Sequence, residues 1–228
     1  MKLVEKYFNK IDLSSHTTLG GYSWINDEIL EIPLKNIKKL QFNSLYANIV
    51  SGLVDREVHN DEKDSIKITM SNFRDQFNYF EKNKSELKSQ NPLKYKDLKT
   101  NINSFYGQLS FLSRTNMSKN YPGFVSQYLR YFYDDLLEHN RDNIVYIDTD
   151  DIYYIDDINL LDNNIEYTTE NIDYAIFFDF KNFVLMQNGI ISNGPLHRSS
   201  KKVKDKDEQI SILKRYIRQD KIETIGIK

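Results

Sequence analysis

A chain of 228 residues is long enough for one large domain or two small ones. Its formal charge of −2 excludes a globally basic surface, so any contact with nucleic acid must rest on a local patch. The absence of cysteine excludes disulfides and thiolate metal sites, and His16, His59, His139 and His197 are too scattered for zinc-ligand spacing. No apolar run approaches ~18 residues and Met1 to Lys10 has no apolar core, so the sequence predicts a soluble, cytoplasmic protein without a membrane span or secretory signal.

Residues 1–35 read as an irregular lead-in. Lys38 to Phe42 reads as a short strand, Leu45 to Leu53 as the apolar start of a helix, and Asp55 to Asp64 as a polar loop. From Met70 to Lys88, Phe73, Phe77, Phe80 and Leu87 recur at helical spacing. Gln90-Asn91-Pro92 breaks that helix, and a second one runs from Leu93 to Tyr106 with Gly107 as its stop. The two form an antiparallel hairpin. Tyr121-Pro122-Gly123 opens a helix with Phe124, Tyr128, Phe132 and Leu136 on one face. Asn143–Asp148 and Asp151–Ile155 read as a tight β-hairpin, and Tyr174–Phe180 as a strand. Asn188-Gly189 between apolar segments predicts a type I′ turn. A basic loop with Arg198, Lys201, Lys202 and Lys204 leads to a last helix, Asp207–Gln219, with Ile210, Leu213 and Ile217 as its buried stripe.

Three segments carry chemistry. The first is Gln41-Phe42-Asn43-Ser44-Leu45-Tyr46. The second is Lys99 with Asn103-Ser104-Phe105-Tyr106-Gly107. The third is Tyr146-Ile147-Asp148-Thr149-Asp150. An isolated Asp-x-Asp is ordinarily a solvated turn. Anchored by Ile144, Val145 and Ile147, it instead holds two carboxylates rigidly, as a hard divalent cation requires. Alternation along a strand would put Asp148 and Asp150 on one face and turn Asp151 away from Asp150. Lys84 and Lys88 are four apart on the first hairpin helix, Lys99 and Asn103 four apart on the second, so each pair shares a face that suits a phosphate chain.

In this order and spacing the segments resemble family B DNA polymerases, most nearly the protein-primed phage type. The resemblance implies an α+β fold: a palm with an antiparallel sheet and helices on one face, short helical-hairpin fingers, a vestigial thumb and no exonuclease domain. The implied division is a lead-in (1–19), palm (20–66), fingers with the second segment (67–108), palm (109–198) and a thumb remnant (199–228). It assigns Asp150 and Asp148 to metal, with Mg2+ or Mn2+ in a two-ion site. Lys99, Asn103, Lys84, Lys88 and Tyr106 would hold the incoming dNTP, and Tyr46 would sense its sugar. Gly20, Gly21, Gly107, Lys181, Phe183 and Arg198 would touch primer-template DNA.

The departures matter as much. Gln41 stands where the family has its first metal-binding Asp, Ala47 replaces Pro, Lys84 replaces Arg, Phe183 replaces Tyr, and Asp151 replaces Ser. A neutral amide oxygen cannot offset clustered phosphate and metal charge. The expectation is therefore an incomplete two-ion site, with impaired or partner-dependent activity that Gln41→Asp partly restores. Other polymerase or replisome subunits would supply the thumb or exonuclease. The composition, rich in Asn, Lys and Ile with 16 Tyr and 13 Phe, fits a phage or mobile element. Two readings stay open: a template-directed nucleotidyltransferase, or a catalytically inactive relative that binds DNA or assembles a replisome.

Overall fold

The computed structural model describes residues 7, 10–11, 21–57, 63–115, 120–160, 165–194 and 206–225. They form two compact units, one of Met1–Gly21, Asn43–Asp135 and Leu161–Glu166, the other of Tyr22–Phe42, Leu136–Leu160 and Tyr167–Lys228. Gly20, Arg198 and the lysines of the basic loop lie outside the described residues. No helix among the described residues is long and apolar enough to cross a membrane.

The first unit is helical. It holds α1 (Leu45–Glu57), α2 (Asp64–Gln90), α3 (Pro92–Thr115) and most of α4 (Tyr121–Asn140). On α2, Ile66, Met70, Phe73, Phe77, Phe80 and Leu87 are buried, a stripe one side wide. It meets Ile102, Phe105 and Leu109 of α3, with the Phe73 and Phe105 rings stacked 4.0 Å apart. Asn91 serves both helices of this hairpin. Its N–H donates to the Leu87 carbonyl at the end of α2, and its side-chain oxygen accepts from the Lys94 N–H in the first turn of α3. Pro92 follows at the position where a missing N–H costs nothing. Asn120 caps α4 in the same way, accepting from the Gly123 N–H at 3.0 Å. α4 is buried on most sides, from Tyr121 and Phe124 to Leu136.

The second unit is a seven-stranded antiparallel sheet in the order β1-β3-β4-β2-β5-β6-β7. The strands are β1 (Ser23–Ile25), β2 (Leu34–Phe42), β3 (Ile144–Asp148), β4 (Asp151–Tyr154), β5 (Tyr167–Asp179), β6 (Asn182–Gln187) and β7 (Ile190–Asn193). On one face the rings of Tyr146, Tyr153, Phe177 and Phe183 meet at 5.3 to 5.8 Å between centroids. Ile176 and Val184, pointing to the other face by alternation, pack against Leu213 and Ile217 of α5 (Lys206–Ile225). The helix expected as a thumb remnant thus contributes to the core of this sheet.

Three expectations need correcting. The lead-in contains β1, a 3-10 turn at Asp27–Ile29 and the start of β2, which begins at Leu34. β5 is a 13-residue strand that starts well before Tyr174. Gly107 does not stop α3, which continues to Thr115. A helix-interior glycine is tolerated there because the flanking turns are anchored by Phe105 and Leu109.

Two glycines then differ in what a side chain would do. A Cβ at Gly107 would meet nothing within 4 Å, whereas Gly189 has φ +77° in the Asn188-Gly189 turn. We expect Gly107→Ala to stabilise the protein by about 0.5–1 kcal/mol, and Gly189→Ala to destabilise it by about 1 kcal/mol. Urea unfolding of both variants beside the natural chain measures this, and a loss of stability in Gly107→Ala would contradict the placement of that glycine in a helix.

Candidate functional site

A concentration of charge in the second unit lies at the β3–β4 hairpin. Hydrogen-bonded register pairs Asp148 with Asp151, which leaves Thr149 and Asp150 as a two-residue turn. Thr149 has φ 62°, a conformation a β-branched residue rarely adopts. Its N–H donates to the Tyr22 carbonyl at 2.9 Å, and its hydroxyl to Asp148 Oδ1 at 3.3 Å. Those bonds oppose a strain of about 1–3 kcal/mol.

The turn is docked on the end of β2. The Phe42 N–H donates to the Asp150 carbonyl at 2.9 Å, and Gln41 pairs directly with Asp151. Register continues outward, Ser23 opposite Asp148 and Thr168 opposite Gln41. Ser23, Asp148, Asp151, Gln41 and Thr168 therefore form one rung across five strands, and partners on a rung share a face. The structure brings Gln41, Asp148 and Asp150 together, but the sheet face pairs Asp148 with Asp151. Asp150 is in the turn, so strand alternation does not govern its direction, and Asp151 points to the side of Gln41 and Asp148.

Two lysines reach this acidic group. Lys39, two residues before Gln41, places Nζ 2.9 Å from Asp151 Oδ2 and 5.8 Å from the centre of the Tyr153 ring. Lys181 Nζ lies 3.6 Å from Asp148 Oδ1, which also accepts from Ser23 Oγ at 3.4 Å. Lys181 belongs to the turn before β6, with φ 57°, and its N–H donates to Tyr146 Oη at 2.9 Å. Phe183, on β6, is buried in the aromatic cluster. Asp150 makes no ion pair with a described residue. Burial pushes its carboxyl pKa up, and the charges of Asp151 and Asp148 add to this while Lys39 opposes it. Asp151 Oδ1 is buried without a hydrogen-bond partner. Lys39 went unnoticed in the sequence, although its place two residues before Gln41 on one strand was the available signal.

Among the described residues, no group of three or more His, Cys, Asp or Glu side chains is arranged to hold a metal by itself. Mg2+ asks for less, one or two carboxylates completed by phosphate and water oxygens. The unpaired oxygen of Asp151 and the disfavoured charge on Asp150 are features a cation would relieve, so the turn fits a divalent ion that arrives with phosphates.

The other candidates lie in the first unit. Lys99 and Asn103 are exposed on one face of α3, and Lys99 forms no ion pair with a described residue. Tyr106, one turn on, packs edge-to-face on Tyr46 at 4.9 Å and exchanges a 2.9 Å hydrogen bond with Ser126 Oγ. Ser44, just before α1, has φ 52°, and Asn48 Nδ2 donates to its carbonyl and to that of Asn43. Lys84 is held by Glu166 at 2.6 Å and Glu81 at 2.9 Å. Burial opposes its charge, but those two carboxylates outweigh it and raise its pKa. Lys88 is exposed, and so is Gly107. Gly21 is exposed just before β1.

No protein-family model matches the sequence, and no curated protein does. Solved structures do match. A family B DNA polymerase from the hyperthermophilic archaeon Pyrobaculum calidifontis aligns over 98% of this chain and 38% of its own, at 15% identity and a TM-score of 0.51. Phi29 DNA polymerase in its ternary complex with primer-template DNA and incoming nucleotide substrates aligns over 85% and 55%, at 12% identity and a TM-score of 0.53. Phi29 DNA polymerase complexed with single-stranded DNA aligns over 78% and 50%, at 13% identity and a TM-score of 0.51. The chain thus has a family B polymerase-like fold and spans about half or less of these structures.

The raised pKa of Asp150 fixes the sign of a pH effect. From the ordinary 3.8 up to its folded value, the native state binds the extra proton, so stability falls as pH rises through that window. Below 3.8 the contribution is fully present, and above the window it is lost. In EDTA, Asp150→Asn should therefore raise the urea midpoint at pH 7, with the gain shrinking toward pH 4. A variant no more stable than the natural chain at pH 7 would show that the carboxylate is not electrostatically frustrated.

Proposed function

We propose that this chain is the catalytic core of a family B-type DNA polymerase, which binds primer-template DNA and dNTP for template-directed nucleotidyl transfer. The observation that carries the reading is the acidic turn, docked by Phe42 on the end of the strand that bears Gln41. The order of the three sequence segments and the likeness of fold support it. In this reading the sheet unit is the palm and the α2–α3 hairpin the fingers.

Each group then has a task. Mg2+ or Mn2+, held by Asp150 with its carboxylate neighbours, would neutralise charge on the triphosphate and polarise the attacking hydroxyl. Lys99 and Asn103, four residues apart on α3, would offer a cation and an amide to the phosphates. Lys84, already engaged by two carboxylates, contributes to that charge less than the sequence implied, and Lys88 is the more accessible of the pair. The Tyr46 ring, braced by Tyr106, would exclude a 2′-hydroxyl. Lys181 would meet the primer strand near Asp148. Partner subunits that supply a thumb or exonuclease, and a phage or mobile-element source, belong to the same proposal.

Gln41 favours a second reading, in which a relative without catalysis binds DNA and helps assemble a replisome. Primer extension with Mg2+ or Mn2+ separates the two. The first reading expects nucleotide addition, and Asp150→Ala should reduce it beyond the about 10–100-fold that losing an outer-shell partner costs. That variant should still bind primer-template, with affinity that falls as salt rises. A natural chain that binds primer-template yet adds no nucleotide with either metal would leave only the second reading.

A further inference from the structure

The loss at Gln41 has a neighbour that answers it. Gln41 and Asp151 face each other across one rung of the sheet, and on the same rung Asp151 faces Asp148 on its other side. Partners on a shared face keep their Cβ atoms ~4.5–5.5 Å apart. A carboxylate at Asp151 therefore borders the same space as one at Gln41, one strand closer to the acidic turn.

Polar satisfaction singles out Asp151 independently. Its Oδ2 is held by Lys39, while its Oδ1 is buried with no partner. Leaving a buried oxygen unmatched is costly, and a native structure rarely tolerates it without a ligand, ion or function. Asp148 differs: its Oδ1 is engaged by Ser23, Thr149 and Lys181. Asp148 is thus the most heavily engaged of the three, and Asp150 with Asp151 makes the better pair, which is the number Mg2+ takes when phosphates complete its shell.

The rung also accounts for the glutamine. An Asp at position 41 would add a third carboxylate to a rung that already sets Asp148 opposite Asp151, and like charges across a rung destabilise a sheet. A neutral amide does not. The pair reads as a carboxylate moved from β2 to its cross-strand partner on β4, with an amide left behind.

We propose that Asp151 supplies the second metal-binding carboxylate of the nucleotide site, in place of the one absent at Gln41. The inference rests on the reading of the acidic turn as a nucleotidyl-transfer site. Lys39 is a positioning residue here. Anchored beside the Tyr153 ring, it keeps Oδ2 of Asp151 engaged and leaves Oδ1 without a partner. It follows that Gln41→Asp alone does not repair the chain, contrary to the sequence expectation.

The test is Mn2+ affinity, measured by electron paramagnetic resonance on the whole chain with a non-hydrolysable dNTP analogue present. The variants are Asp150→Asn, Asp151→Asn, Gln41→Asp and the exchange Gln41→Asp/Asp151→Asn. The expected result is a loss of 10-fold or more in each of the two Asp→Asn variants, and recovery to within about 3-fold of the natural chain in the exchange. Gln41→Asp alone should lower the melting temperature without tightening Mn2+. If Asp150→Asn loses Mn2+ while Asp151→Asn does not, the proposal falls and the reading of the site stands. A natural chain that binds no Mn2+ with the analogue overturns both. Asp151→Ser repeats the measurement should Asp151→Asn fail to fold.

Discussion

Register across the β3–β4 hairpin is the constraint on which the site depends. Because side chains alternate along a strand, a slip of one residue moves every one of them to the other face. A turn of two residues puts Asp148 opposite Asp151, and a turn of three would send Asp151 away from Gln41. The structure holds the shorter turn by placing Thr149 in a left-handed conformation and tying its N–H to Tyr22. Beneath it, Tyr146 and Tyr153 lock the same two strands through ring contacts with each other and with Phe177 and Phe183. The polar rung is thus registered by the apolar row next to it.

Electrostatics at the site is a balance between three aspartates and two lysines, set on a floor of buried rings. A carboxylate lifted out of water costs several kcal/mol if unpaired, and much less when an ammonium group stands beside it. Lys39 and Lys181 answer two of the three charges. Asp150, in the turn, is left to its neighbours. Lys181 is itself held in a left-handed turn, through its N–H bond to Tyr146 Oη. Two strained turns from different hairpins, at Thr149 and at Lys181, therefore converge on Asp148, and backbone strain of this sort concentrates where a fold does chemistry.

Much of this was legible in the sequence because the signals are local. Asn188-Gly189, the aromatic stripe of α2 and the Asn91-Pro92 break each name their structure through a short-range rule. The hairpin at Thr149-Asp150 was legible too, yet its consequence was missed: a two-residue turn removes Asp150 from the strand and gives its place on the face to Asp151. β1 was invisible because three residues carry no period. The first half of β5 was hidden because Tyr167 to Asn171 is exposed and polar, its strand character supplied by pairing with β2. Gly107 looked like a stop because glycine usually is one, and buried neighbours on both sides overrode that preference. That Lys39 shares a face with Gln41 could be read from strand alternation, but its ion pair with Asp151 needed the register, which is a tertiary fact.

The two outermost strands of the sheet are also its shortest flanks: β1 has three residues and β7 four, against nine in β2 and thirteen in β5. An exposed edge offers unpaired N–H and C=O groups to any other extended chain, and brevity is one way proteins blunt that offer. The exposed Ile190 on β7 would make a longer edge adhesive. At four residues, closed by a tight turn on one side, it gives a second molecule too few hydrogen bonds to dock upon. The interior strands, which carry the polar rung from Asp148 to Thr168, are paired on both sides and so are kept out of reach of aggregation.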